Sequence, residues 1–259
     1  MTISIDPHWW QSLFDEVYLT TDARSVQNPR RTAREVDIFI RLGNLETEAR
    51  ILDMCGGHGR HALELGRRGY SRCQVLDYSE KLLAVGRRQA AKENLPVEFM
   101  QGDARRSGLE EAAWDQVLIL GNSLGYIPDP EADKQILQEC RRILKPGGGL
   151  LLDVTDGGTL RDNFRASAWH EIGEKVVVCR QRELRDSTIY VREMVLDKGK
   201  GLIRDQTYGM RLYSADELSH LARNAGFRQI EIHDDLNNFN AHEDLGFMST
   251  RLILTAFKP

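Results

Sequence analysis

Apolar and polar residues follow two different patterns along the middle of this 259-residue chain. The short apolar runs at 51–52, 75–76 and 117–120 have the length and composition of buried strands. The stretches between them repeat apolar residues at helical spacing. Because strands that alternate with helices form a parallel sheet covered on both faces, the pattern predicts an α/β core over residues 46–160.

The N-terminal segment, residues 1–45, carries a purely helical pattern. Helical spacing relates a set of apolar and aromatic side chains, namely Trp9, Trp10, Leu13, Phe14, Val17 and Tyr18. Asn28 and Pro29 then supply a cap and a first-turn proline for a further helix. We predict that this segment is a helical lid on the core.

The C-terminal part leaves the α/β pattern and then rejoins it. In residues 161–213, apolar runs predict inserted antiparallel strands at 175–179, 189–196 and 206–213. In residues 214–259, the capping box at 214–217 starts a helix. Strands expected at 229–233 and 250–257 would complete a seven-stranded, mostly parallel sheet.

A glycine-rich turn at 53–59 follows the first apolar run and leads directly into a helical pattern. Glycines lack the Cβ atoms that would keep a ligand away from the backbone, and a helix N-terminus presents free N–H groups. Asp77 ends the next apolar run, at roughly the 20-residue distance of an acid that binds a ribose diol. The turn and Asp77 together predict a nucleoside cofactor.

Several motifs in this order resemble those of class I S-adenosylmethionine (SAM) dependent methyltransferases. The turn at 53–59 is similar to the first motif of that family, and Asp77 falls at its ribose-binding acid. The stretch 102–104 resembles the motif that contacts adenine, while 114–120 and 144–154 resemble the fourth and fifth strands. The resemblance implies a Rossmann-like fold, SAM as cofactor and S-adenosylhomocysteine as product.

The resemblance also implies which residues bind the cofactor, although Cys55 stands where many relatives have glycine. The implied residues are Asp53, Cys55, Gly57, Gly59, Asp77, Tyr78, Asp103, Ala104, Leu120, Gly121, Tyr18 and Arg34. Arg24 and Arg31 are alternatives to Arg34 as partners of the SAM carboxylate, and a solvated surface position is the alternative for each. A nicotinamide dinucleotide is a competing ligand, but its fingerprint expects a glycine where Ala62 stands, and it leaves Asp103 without a role.

Composition and charge narrow the range of partners. A formal net charge of −4 provides no basic field for nucleic acid and no polybasic patch for a membrane. The first residues lack the features of a signal peptide, and no apolar run has the length of a membrane helix. We therefore expect a cytoplasmic protein without a metal, with reduced cysteines and a small-molecule acceptor. A homodimer is left open.

The acceptor site is predicted beyond the fourth strand, where α/β sheets bind ligands. Residues 121–123 and Tyr126 resemble a stretch of glycine, sarcosine and amino-sugar N-methyltransferases, which implies that Asn122 and Tyr126 orient the acceptor as catalytic residues. The alternative is that Asn122 and Ser123 only cap the next turn. The expected acceptor contacts are Trp10, Phe14, Tyr18, Tyr126, Arg211 and Tyr213. The alternative for the aromatic residues is a place in the core.

These expectations favour methyl transfer from SAM to an amine nitrogen of a small polar metabolite. A neutral amine needs little beyond positioning, whereas oxygen and carbon acceptors usually need a general base. A peptide or protein substrate is one alternative and predicts an open groove. A catalytically silent SAM-binding module is another. His58 and His61 lack metal-ligating neighbours in the sequence, so packing is their expected role.

Overall fold

A computed structural model of the chain describes residues 2–22, 26–236 and 248–259. A seven-stranded sheet with helices on both faces forms the core, and a four-stranded antiparallel sheet accompanies it. The fold class predicted from the sequence is therefore confirmed. Within the described ranges, no helix is both long enough and apolar enough to cross a membrane.

From residue 51 to residue 155, strands and helices alternate, except that the third and fourth strands of this stretch follow each other without a helix. The helices are a 3-10 turn at Trp9–Gln11, α1 (Glu16–Thr21), α2 (Pro29–Gly43), α3 (Arg60–Arg67), α4 (Glu80–Glu93), α5 (Ala132–Ile143), α6 (Gly157–Asp162) and α7 (Ala215–Asn224). The strands of the large sheet are β1 (Ile51–Met54), β2 (Cys73–Asp77), β3 (Val97–Gln101), β4 (Trp114–Ile119), β5 (Leu144–Thr155), β10 (Arg228–His233) and β11 (Arg251–Phe257). The small sheet contains β6 (Ser167–Ile172), β7 (Val176–Arg185), β8 (Thr188–Asp197) and β9 (Gly201–Arg211).

The strand order of the large sheet creates a switch point near its middle. The order is β10-β11-β5-β4-β1-β2-β3, and β11 runs antiparallel to both of its neighbours. β1 pairs in parallel with β2 on one side and with β4 on the other, so that Asp53 lies opposite Val75 and Leu118. Connections therefore leave β1 and β4 in opposite directions, and a crevice opens beyond the carboxyl ends of these strands.

Helices bury both faces of the large sheet. Side chains of α5 and α7 pack on one face together with Leu52 and Val117, and side chains of α2, α3 and α4 pack on the other together with Val75 and Leu118. All residues of β1 are buried. Burial on both faces explains why these strands stand out in the sequence as short continuous apolar runs.

The N-terminal segment is not one continuous helix, although residues 9–18 have helical spacing. The helical conformation ends after the 3-10 turn, and a separate helix, α1, begins after Asp15, which is its N-cap residue. Its Oδ1 accepts hydrogen bonds from the backbone N–H groups of Val17 (2.9 Å) and Tyr18 (3.1 Å). The action of this segment as a lid stays a prediction.

The small sheet contains the predicted antiparallel strands and one more. The predicted run at 189–196 lies within β8, and the runs at 175–179 and 206–213 overlap β7 and β9. All three strands are longer than expected, and the sheet order is β6-β7-β8-β9. β6 escaped prediction because its residues alternate between exposed and half-buried and include serine, histidine and glutamate. An edge strand of this kind carries little of the apolar alternation that marks a half-buried strand. The division of the chain at residues 45, 160 and 213 stays a prediction.

Candidate active site

A large cavity lies beyond the carboxyl ends of β1, β2 and β4 and extends to β7, β8 and β9. The sequence-predicted site residues that line it are Trp10, Phe14, Tyr18, Cys55, Gly57, Asp77, Tyr78, Asp103, Ala104, Leu120, Gly121, Asn122 and Tyr126. Those that do not line it are Asp53, Gly59, Arg34, Arg211 and Tyr213. Most of the predicted cofactor and acceptor residues thus share one space.

Left-handed backbone conformations shape the glycine-rich turn between β1 and α3. Gly57 and Gly59 have φ angles of 59° and 72°, and Gly59 is the N-cap residue of α3. Cys55 also has a positive φ, of 60°, which glycine adopts at lower cost than other residues. The resemblance implies a glycine at this position, and the backbone conformation itself favours glycine there.

Asp77 ends β2 and faces the cavity beside the turn. Its Oδ2 accepts a hydrogen bond of 2.8 Å from the Gly57 N–H, and its Oδ1 accepts one of 2.8 Å from the Ser79 N–H. Burial raises the pKa of Asp77 despite these N–H groups, which lower it. The two bonds fix the orientation of the carboxylate and leave lone pairs for ligand hydroxyls.

Asp103 carries a salt bridge at the rim of the cavity. Its carboxylate accepts hydrogen bonds from the Arg105 backbone N–H (2.9 Å) and from Nε (3.0 Å) and Nη2 (2.6 Å) of the same residue. Burial alone would raise the pKa of Asp103, but Arg105 holds it below its ordinary value. The Arg105 guanidinium also lies 5.2 Å from the ring centre of Trp10, which packs on Tyr78 at 4.7 Å. These side chains form one wall above Asp103.

Asp53 and Gly59 support the turn from beneath. A Cβ atom on Gly56 would lie 2.6 Å from Cγ of Asp53, and one on Gly59 would lie 2.7 Å from the Phe99 ring. Burial raises the pKa of Asp53 to about 7, although Arg60 lowers it. These two predicted cofactor residues act on the shape of the turn because they lie on its inner side.

Among the described arginines of this region, Arg60 reaches the cavity, and the sequence analysis missed it. Arg34 is exposed on α2, and Arg24 lies outside the described residues. Arg60 is the first residue of α3, and its Nη1 donates a hydrogen bond of 3.0 Å to Thr32 Oγ1 and pairs with Glu35. Its position directly after the glycine-rich turn was the signal that could have identified it.

Glu35 is the centre of a buried ionic network behind the cavity. Its carboxylate pairs with Arg31 at 3.1 Å and with Arg251, and lies 3.1 Å from Nε2 of His61. Burial and Arg60 lower the pKa of His61 to about 3. Burial likewise lowers the pKa of His58 to about 4. Both histidines are therefore neutral near pH 7.

The Asn122 side chain forms hydrogen bonds to other residues of the protein. Its Oδ1 accepts a hydrogen bond of 2.8 Å from the Thr155 N–H. Its Nδ2 lies 3.3 Å from the Tyr126 hydroxyl and 2.9 Å from the Met210 sulfur. Asn122 also has a positive φ, of 65°. The contacts exceed those of a simple turn cap, since they connect the loop after β4 to β5 and to β9.

Aromatic rings from the N-terminal segment and the β4 loop pack against each other at the cavity. Phe14 contacts Tyr18 at 5.2 Å and Tyr126 at 5.3 Å between ring centres. Trp9 is 2% exposed and packs on Tyr126 and on Tyr208 of β9. The predicted aromatic stripe is therefore divided, because Trp9 belongs to a core while Phe14 and Tyr18 line the cavity.

Arg211 and Tyr213, expected at the acceptor, do not line the cavity and instead bind Asp133 of α5, which does. Both bind Oδ2 of Asp133, at 2.8 Å from Arg211 Nε and 2.6 Å from the Tyr213 hydroxyl. Arg211 also donates a hydrogen bond of 2.8 Å to the Ile127 carbonyl. Asp133 is 1% exposed and itself lines the cavity, so Arg211 and Tyr213 pair with a cavity residue without lining the cavity themselves.

Comparison with known proteins relates this chain to methyltransferases. A family model described as a methyltransferase domain matches residues 51–148. The putative methyltransferase YqeM of Bacillus subtilis (strain 168) is 27% identical over 191 residues, which cover 71% of this chain and 76% of the relative. The chain contains a class I SAM-dependent methyltransferase domain. The matched part of this methyltransferase holds the glycine-rich turn, Asp77 and Asp103.

Two solved structures are similar to the methyltransferase over nearly its whole length. SAM-bound CalS10, an amino pentose methyltransferase from Micromonospora echinaspora, has a TM-score of 0.69 at 19% identity and covers 96% of this chain and 99% of its own. The sugar N-methyltransferase KedS8 from Streptoalloteichus sp ATCC 53650 has a TM-score of 0.66 at 20% identity, with 100% and 96% covered. These likenesses extend the fold to the small sheet and the N-terminal segment.

The cavity of the methyltransferase fits SAM, its cofactor. Asp77 offers carboxylate lone pairs to ribose hydroxyls, Asp103 offers them to an amino group, and Leu76, Leu82 and Ala104 supply apolar surface for a purine. Arg60 adds a cation beside the turn. When bound, SAM supplies an electrophilic methyl group on a sulfonium centre. The task of the chain's own residues is to hold the acceptor in line with that group and to exclude water.

Proposed function

We propose that this methyltransferase transfers the methyl group of SAM to an amine nitrogen of a small polar metabolite. The observation that carries the proposal is the extent of the cavity, which is lined by Asp77 and Asp103 and also by Tyr126 and Arg180. The two acids suit the nucleoside of the cofactor. The remaining part of the same cavity is then available to the acceptor.

The cover of the cavity favours a small acceptor over a peptide. Residues of the N-terminal segment bond to both sides of the cavity. The Ser79 hydroxyl donates a hydrogen bond of 2.5 Å to the Phe14 carbonyl beside Asp77, and Arg204 of β9 donates one of 3.2 Å to the Leu13 carbonyl. A continuous peptide would have to displace this crossing segment, whereas a metabolite fits beneath it.

The chemistry of the cavity side chains favours an amine. Burial raises the pKa values of Tyr18 and Tyr126 well above the ordinary value, so both hydroxyls keep their protons near neutral pH. The low pKa values of His58 and His61 make these histidines weak bases. Oxygen and carbon acceptors usually need a stronger base, whereas a neutral amine mainly needs positioning. The likeness to KedS8, named a sugar N-methyltransferase, supports the same choice.

Arg60 is the residue best suited to the carboxylate at the amino-acid end of SAM. Among the described residues, its hydrogen-bond partners are Thr32 and Glu35, and both bonds use Nη1. Nε and Nη2 are therefore available to a ligand anion. The network around Glu35 holds the guanidinium in place, which reduces the entropy lost on binding.

Methyl-labelled SAM tests the proposed function directly. The protein is incubated with labelled SAM and a panel of amines, hydroxy acids and phenols, and the products are analysed by mass spectrometry. We expect label on the nitrogen of an amine, and a lower rate for Asp77→Asn, with the loss greatest at low SAM. Label on oxygen or carbon alone would contradict the amine assignment. Label on peptides but on none of the metabolites would contradict the small acceptor.

A further inference from the structure

A layer of charged side chains lies on the inner face of the small sheet, between buried valines of β8. Val191 and Val195 on β8 are fully buried, and Glu193 lies between them on the same face with 2% exposure. Its cross-strand neighbour on β7 is Arg180, whose Nε donates a hydrogen bond of 2.8 Å to Glu193 Oε2. Arg204 on β9 lies 3.4 Å from the other carboxylate oxygen. We call Arg180, Glu193 and Arg204 the charged layer.

Fold stability does not account for these charges. Removing ions from water costs about as much as their mutual attraction returns, and well-packed apolar residues are often as stable or more stable. All three residues of the charged layer line the cavity. Tyr208 of β9 and Tyr126 line the same cavity. Contact with a bound molecule would explain why these charges lie on the inner face, at the cavity.

Several hydrogen-bond donors of this region remain available to a ligand. The bonds of Arg180 to described residues use Nε, toward Glu193, and Nη2, which lies 3.3 Å from both oxygens of Asp22. Its Nη1 donates to none of them. Tyr208 is 6% exposed, and its hydroxyl bonds to no residue within the described ranges. The Tyr126 hydroxyl accepts a bond from Asn122 and still has its own proton to donate.

The formal charges around Arg180 and Arg204 indicate which kind of ligand group suits this region. Arg180 and Arg204 face three carboxylates, those of Glu193, Asp22 and Asp15. The formal sum of these five groups is −1, so this cluster has no net positive charge to offer an added carboxylate. A hydroxyl group suits the arrangement better. It accepts from a guanidinium or tyrosine and donates to a carboxylate.

We propose that the acceptor carries hydroxyl groups on its non-reacting part and that Arg180, Glu193 and Tyr208 bind them. This inference rests on the proposed function in one respect, because the amine and the hydroxyl groups would occupy the same cavity. It goes further than the proposed function because it holds that residues of the small sheet determine which acceptor binds. The acceptor class is a hydroxylated amine, and an aliphatic amine or an amino acid of similar length should bind more weakly.

Three amines of equal chain length distinguish these classes. Glucamine carries hydroxyl groups, hexylamine carries none, and 6-aminohexanoate carries a carboxylate. Each is titrated by calorimetry into the protein saturated with S-adenosylhomocysteine. We expect glucamine to bind roughly tenfold more tightly than either of the others, as for one or two hydrogen bonds to charged groups. Tighter binding of 6-aminohexanoate, or equal binding of all three, would overturn the proposal.

Matched variants assign the preference to the small sheet. Tyr208→Phe and Arg180→Lys should weaken glucamine binding several-fold and leave hexylamine binding unchanged, a selectivity change that a general loss of stability would not cause. Tyr190→Phe is the control, because Tyr190 lies on β8 outside the cavity and packs on Arg185 at 3.6 Å. If Arg180→Lys fails to fold, Tyr208→Phe alone decides. A glucamine preference that survives Tyr208→Phe and Arg180→Lys unchanged would overturn the assignment.

Labelled SAM separates this inference from the proposed function. Equal methyl transfer to the nitrogen of all three amines would support amine methylation and overturn the hydroxyl site. A strong preference for glucamine with label on its oxygen would support the hydroxyl site while contradicting amine methylation.

Discussion

Asn122 Oδ1 accepts a hydrogen bond of 2.8 Å from the backbone N–H of Thr155, which ties the loop after β4 to the end of β5. The same side chain donates toward the Tyr126 hydroxyl through Nδ2. Asparagine tolerates the left-handed φ of this position better than most residues do. We infer that Asn122 is a positioning residue and that the Tyr126 hydroxyl is the group it presents to the acceptor.

Asn122→Ala should lower the free energy of unfolding by about 1–3 kcal/mol, because the Thr155 N–H loses this buried acceptor. The left-handed backbone adds to the loss, since alanine adopts it poorly. Urea denaturation measures the change. Asn163→Ala is the control, because Asn163 is exposed at the end of α6 and has a negative φ. Full stability of Asn122→Ala together with lost turnover would instead assign Asn122 to the chemistry.

Trp9 and Trp10 are adjacent but should respond differently to replacement. Trp9→Ala should lower the free energy of unfolding by about 3–5 kcal/mol, because the indole is buried between Tyr126 and Tyr208. Trp10 lines the cavity on Tyr78, so Trp10→Ala should mainly weaken S-adenosylhomocysteine binding. Denaturation and calorimetry on both variants provide the comparison. Equal effects of the two replacements on stability, with no effect on binding, would place both residues in the core and remove the basis for a lid.

Most residues that the sequence predicted for the cofactor line the cavity, because the signals for them are local. The glycine-rich turn, Asp77 and the motif around Asp103 each depend on a few consecutive residues at a strand end, and a parallel sheet brings the carboxyl ends of its strands together. The sequence could not show which residues of the turn face inward, away from the cavity. Asp53 and Gly59 face Gly56 and Phe99, and no sequence spacing indicates which side of a turn a residue faces.

The part of the cavity that we propose for the acceptor depends on contacts between distant segments. Arg180 meets Glu193 only through the register of β7 and β8, and an irregularity in the pairing of β8 and β9 lies between Val195 and Leu196. A shift of one residue would turn these charges to the opposite face. The position of Arg211, which does not line the cavity, was hard to predict for a similar reason. Its partner Asp133 comes from α5, which no pattern in the sequence connects to β9.

Asp53 should make the stability of the protein depend on pH. Its pKa is raised by burial to about 7 in the folded state, so between about pH 4 and pH 7 the folded chain holds a proton that the unfolded chain has lost. The free energy of unfolding of the wild type minus that of Asp53→Asn should therefore fall as pH rises through this window and level off above it. Contributions of His58 and His61 cancel in the difference. A flat difference would show that Asp53 ionises normally beneath the turn.

Arg60→Gln should weaken the binding of S-adenosylhomocysteine and leave that of 5′-methylthioadenosine unchanged. The two ligands share the adenosine and the thioether, and only the first has the amino-acid carboxylate that Arg60 is proposed to bind. Loss of a hydrogen-bonded charge contact is worth about 1.5–3 kcal/mol, or roughly 10- to 150-fold in affinity by calorimetry. Glu35 keeps Arg31 and Arg251 as partners, so the variant should remain folded. Arg34→Gln, on the exposed side of α2, serves as the control and should bind both ligands as the wild type does. Equal weakening of both ligands by Arg60→Gln would mean that Arg60 shapes the turn instead of binding the carboxylate.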